Sequence, residues 1–106
     1  MKMAGKSDAL EILDAVERGS MTDMAVLIAA GADVNAADDT GWTALMMASQ
    51  AGRADMAEAL ILAGADVNAA DELGVTVLMA ASSGGFGDIV EMLIAANADV
   101  HARDHR

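Results

Sequence analysis

The chain has 106 residues, enough for one domain and too few for two ordinary ones. Hydrophobic residues make up 55%, but with one Trp, one Phe and no Tyr the composition suits helices packed closely through Ala and Met rather than a core of large aromatics. A formal net charge of −11, from seventeen acidic and six basic residues, disfavours nucleic acid and anionic membrane, which are held by clustered Lys and Arg, and points to a protein partner with a basic or neutral surface.

The N-terminal stretch MKMAGKSDALEILDAVERG carries two lysines but no unbroken apolar run, because Asp8, Glu11, Asp14 and Glu17 interrupt it. It does not read as a signal peptide, and no later segment approaches the ~20 apolar residues that cross a bilayer. With no cysteine for disulfides, the expected setting is the cytoplasm. Residues 7–30 read as a helix pair, with Asp8 and Glu11 at capping spacing and Ser20 placed to cap the second helix, Asp23 at its third position. That role explains an Asp where later copies have Met56 and Ile89. The polar Glu11, Glu17 and Arg18 give this pair the look of a solvent-facing cap.

From Gly31 the chain repeats itself. GADVNAADDTGWTALMMASQAGRADMAEALILA occupies 31–63 and GADVNAADELGVTVLMAASSGGFGDIVEMLIAA occupies 64–96, matching at 20 of 33 positions without a gap. A further start, NADVHARDHR, begins at Asn97, another 33 residues on. A fixed period of this length signals a stacked repeat array. Each unit reads as turn, helix, turn, helix. Gly, Asn and Asp populate the turn from Gly31 to Trp42. Thr43 caps a short helix to Gln50, Gly52 ends it, and Asp55 with Glu58 is expected to cap the second helix in D-x-x-E spacing. Asp88 and Glu91 repeat that pair in the next unit.

These residues resemble the ankyrin repeat family: the GADVNA finger, the D-x-x-G-x-T turn and the paired short helices follow its pattern across nearly the whole chain. The resemblance implies an all-α, ankyrin-type solenoid of stacked helix-turn-helix repeats with β-turn fingers, forming a single domain over 1–106. Its expected units are a cap-like repeat at 7–30, repeats at 31–63 and 64–96, and a truncated finger at 97–106. The family's T-P-L-H tetrapeptide is T-A-L-M at Thr43–Met46 and T-V-L-M at Thr76–Met79. Losing the proline removes a preset dihedral. Losing the histidine removes inter-repeat hydrogen bonding that the resemblance assigns to it, so Met46 and Met79 are expected to fill the space and couple the repeats less strongly.

No constellation supports catalysis, so the chain is read as a non-enzyme without cofactor or metal. His101, Asp104 and His105 fall in a tail, with His101 in register with the turn residues Asn35 and Asn68. Gly84, Gly85 and Gly87 around Phe86 lack the Lys and Ser or Thr of a phosphate loop and read as the turn between helices. Asp38 with Asp39, and Asp71 with Glu72, recur in register and read as finger architecture, because calcium would need alternating oxygen ligands and a distal Glu. The methionines at 46, 47, 56, 79 and 92 read as core filler, with Met47 also able to serve an adaptable binding surface.

The resemblance implies a concave binding face made of finger tips and first helices. The residues expected there are Asp39, Thr40, Trp42, Met47 and Gln50 from one repeat, and Glu72, Leu73, Val75 and Ser83 from the next, with the indole face and N–H of Trp42 as the main anchor. Trp42, Leu73 and Val75 are expected to form an apolar centre ringed by Asp39, Asp71 and Glu72. The function expected is a protein-binding adaptor or inhibitor. Two alternatives remain open at this level. One is a self-associating module that pairs as a homodimer through an uncapped C-terminal end at Leu93, Ile94 and Val100. The other is a truncated or engineered piece of a longer array.

Overall fold

The computed structural model describes residues 8–96, with side chains from Glu11 onward. Six helices follow in chain order: α1 (Asp8–Arg18), α2 (Met21–Ala29), α3 (Ala44–Gln50), α4 (Ala54–Leu62), α5 (Val77–Gly84) and α6 (Gly87–Ala95). They pair as α1/α2, α3/α4 and α5/α6. The first members pack side by side, with α3 between α1 and α5, and α4 packs on α6 behind them. The architecture is the all-α stack expected from the period. None of the described helices is long and apolar enough to cross a membrane.

The helices start where local chemistry starts them. Thr43 and Thr76 are extended N-cap residues whose hydroxyls accept from Met46 N and Met79 N, each at 3.2 Å, relieving amide groups that have no partner inside the helix. Ser20 caps α2 in the same way, accepting from Asp23 N at 3.2 Å. The Asp23 carboxylate turns outward to Arg18 Nη1 at 3.0 Å, and Arg18 Nε meets Asp14 at 2.8 Å. These two contacts raise the Arg18 pKa above its ordinary value and tie α1 to α2 on the surface.

Asp55 and Asp88 are not caps, contrary to expectation. The N-cap positions of α4 and α6 belong to Arg53 and Phe86, and neither makes a side-chain cap bond. Asp55 and Asp88 instead accept from the next residue's amide, Met56 N and Ile89 N, each at 2.8 Å, in the first turn, where a carboxylate complements the helix dipole. The turn geometry decides this. Arg53 N donates to Ala48 O at 2.9 Å and Phe86 N to Ala81 O at 3.2 Å, so each helix starts two residues too early for Asp to sit at the cap.

The core is continuous through the pairs. Ile12, Leu45, Leu60, Val77, Ile89 and Leu93 are fully buried, as are Met46 and Met56; Met47, Met79 and Met92 are half-buried. Met46 therefore fills its space by packing, as expected, and Met79 does so only in part.

The repeats are also joined by polar ties. Asn35 Oδ1 accepts from Asp66 N at 2.6 Å, and its Nδ2 donates to Gly64 O at 3.3 Å. Glu72 N donates to Thr40 O at 3.1 Å. The fingers come so close that a Cβ on Gly41 (φ +91) would lie 3.0 Å from Asp71 Cα. Phe86, half-buried, lies over Gly52 (φ +74), where an added Cβ would come within 2.5 Å of the ring. It is thus packed on the preceding repeat's turn.

One buried polar group stands out. Ser49 on α3 is fully buried, and among the described residues its hydroxyl has no hydrogen-bond partner. Leaving a hydroxyl unsatisfied costs free energy, so Ser49→Ala is expected to stabilise the fold by about 1 kcal/mol, read as a higher urea midpoint with unchanged slope. A lower midpoint would show that the hydroxyl is satisfied in solution.

Candidate concave groove

The fingers are organised by two acids. Asp38 Oδ1 accepts from Thr40 N at 2.9 Å, Thr40 Oγ1 at 2.7 Å and Trp42 N at 3.0 Å. Asp71 Oδ1 does the same for Leu73 N and Val75 N, each at 2.9 Å. Each finger then closes through one antiparallel bridge, Ala37 with Thr43 and Ala70 with Thr76. Asp38 and Asp71 thus build the fingers, as their recurrence suggested. Among the described residues no three His, Cys, Asp or Glu side chains form a metal-binding group; His101, Asp104 and His105 lie outside the described residues.

The Asp38 carboxyl titrates below its ordinary value, chiefly because the Thr40 hydroxyl donates to the charged form; partial desolvation opposes this, and the Trp42 and Thr40 amides reinforce it. A depressed pKa stabilises the fold above the unfolded-state value, and that contribution is lost as pH falls through the folded value. Wild type is therefore expected to lose stability on acidification below about pH 4, and Asp38→Asn to lose less over the same range. Urea midpoints measured between neutral and acid pH test this, and identical acid limbs would refute it.

A groove of about 310 Å³ runs beside this finger, lined by Val16, Glu17, Asp38, Trp42, Met47, Gln50, Ala51 and Arg53. Its walls are the C-terminal turns of α1, the exposed face of α3 and the base of the first finger. Trp42 is half-buried, and its Nε1 donates to Asp71 Oδ2 at 3.0 Å. The indole N–H is therefore committed to the next finger, and the ring offers a partner only its apolar surface. The Arg53 guanidinium folds back over Gly19, within 3 Å of where a Cβ on that glycine would stand.

Of the residues expected on the binding face, the structure brings Trp42, Met47 and Gln50 together in this groove. Asp39, Thr40, Glu72 and Ser83 are exposed outside its lining, and Leu73 is 55% exposed on the second finger. Val75 is half-buried with its amide held by Asp71. Leu73 and Val75 do not line the groove beside Trp42, so the expected Trp42–Leu73–Val75 centre is not assembled there. Sequence reasoning missed Val16, Glu17, Asp38 and Arg53 as groove residues. A signal existed for Glu17, which stands one 33-residue period before Gln50.

The surface proposed for self-association is also altered. Leu93 is fully buried and offers no side chain to a second copy, whereas Ile94 is 48% exposed. Val100 lies outside the described residues.

The comparisons agree with the geometry. No curated protein matches the chain. A family model described as ankyrin repeats, in three copies, matches residues 12–104. Ankyrin repeats are generally protein–protein interaction modules, typically without enzymatic activity. A stack of helix pairs in this register, with its fingers stapled by Asp38 and Asp71, accords with that match over most of the chain, and the chain belongs to the ankyrin repeat family.

Proposed function

We propose that the chain is a non-catalytic adaptor or inhibitor that docks a partner polypeptide on its concave face, centred on the groove beside Trp42. The observation that carries this is the convergence of Trp42, Met47 and Gln50 on one groove. Large aromatic rings in partly enclosed sites dominate interface energetics, and a flexible Met beside one adapts to the shape of what binds. The surrounding acids speed encounter with a basic surface.

The test uses a displayed library of random dodecapeptides panned against the chain, with binders mapped by amide and methyl chemical shifts. The expected footprint covers Met47, Gln50 and Ala51, and Gln50→Arg, an exposed change that leaves the fold intact, abolishes binding. Binders confined to α2, α4 and α6 and indifferent to Gln50→Arg would sink the reading.

A further inference from the structure

We propose that the Trp42 groove receives a cationic side chain, a lysine or arginine, of the partner polypeptide; this rests on the concave-face reading above. The indole N–H is already donated to Asp71 Oδ2 at 3.0 Å, so the ring has a fixed orientation and no donor left to offer. What remains is its π-face, which attracts cations, Trp more strongly than any other residue. A carboxylate held on the N–H adds to the negative character of that face. Val16 and Met47 line the same groove, and their apolar surfaces suit the methylene stem of Lys or Arg.

Charge selects the head group. Asp38 and Glu17 line the groove against a single basic residue, Arg53. The hydrogen bonds that the Asp38 carboxylate accepts from Thr40 and Trp42 all fall on Oδ1, so Oδ2 carries none of these. Glu17 is exposed on the last turn of α1 and makes no ion pair among the described residues. Arg53 is turned back over Gly19, which places its charge against the α1–α2 turn. An anionic ligand would meet two carboxylates in the groove and a chain of net charge −11 around it, whereas a cation is drawn in by both.

The experiment takes concave-face dodecapeptides and replaces each Lys or Arg in turn by norleucine, which keeps the stem and removes the charge. Binding is followed by emission from the chain's single tryptophan, which reports the groove directly. The expected result is that one basic position weakens binding tenfold or more when replaced. Glu17→Gln is expected to weaken the parent peptide several-fold while leaving the norleucine peptide unaffected, and added salt to weaken only the parent. Peptides that shift Trp42 emission yet tolerate norleucine throughout, or that carry acidic residues instead, would overturn the cation and leave the concave-face reading standing. If no selected peptide perturbs Trp42, Met47 or Gln50, both fall together.

Discussion

Leu45→Ala is expected to destabilise the chain by about 3 kcal/mol, a large share of the roughly 5–15 kcal/mol that holds a domain of this size together. Leu45 is fully buried on α3, the helix that packs against α1 on one side, α5 on the other and its own partner α4. In a stack, stability is the sum of each repeat's own contribution and its contacts with neighbours. A cavity at Leu45 weakens the central repeat and lies on the helix that forms both of its inner-layer interfaces. The comparison that isolates burial is Leu62→Ala, the same chemistry on a residue 82% exposed on α4, which is expected to cost no more than about 0.5 kcal/mol. Urea unfolding followed by far-ultraviolet circular dichroism measures both. Similar midpoints for the two variants would mean that α3 is not the centre of the stack.

Trp42 is expected to separate two contributions that one side chain combines. Trp42→Ala removes the groove wall and the bond to Asp71 that joins the fingers, with an expected cost of about 2–3 kcal/mol for a half-buried ring and loss of concave-face binding by tenfold or more. Trp42→Phe keeps an aromatic face in the groove and loses only the N–H, so its expected cost is about 1 kcal/mol with most of the binding retained. Circular dichroism measures stability, since the fluorophore is absent from both variants, and titration calorimetry with a selected peptide measures binding. If Trp42→Phe were as stable as wild type, the indole bond at 3.0 Å would contribute nothing. If Trp42→Ala bound normally, the ring would have no part in recognition.

The reach of the sequence follows the range of the interactions. The 33-residue register, the caps at Thr43, Thr76 and Ser20, and the finger acids Asp38 and Asp71 could all be read without coordinates. The register is read from recurrence of the same pattern, and the caps and finger acids are decided by groups within four residues of one another, where spacing alone sets the geometry. The Asp55 and Asp88 caps misled for a local reason of a different kind. Asp favours an N-cap intrinsically, but the Arg53 N–Ala48 O and Phe86 N–Ala81 O bonds close the preceding turns so tightly that the cap falls on the residue before Ala54 and Gly87.

By itself, then, the sequence determined the family, the helix pairs and the finger chemistry, because a repeated local pattern repeats its local structure. Only the tertiary structure decided how neighbouring units meet. It joined Trp42 to Asp71, tied Asn35 to Gly64 and Asp66, laid Phe86 on Gly52, buried Leu93 and brought Val16 and Glu17 to the groove. The physical reason is that these contacts join different repeats, residues about thirty positions apart. Their partners are set by the packing of one helix pair on the next, which side-chain volume and finger stacking control and local propensity does not.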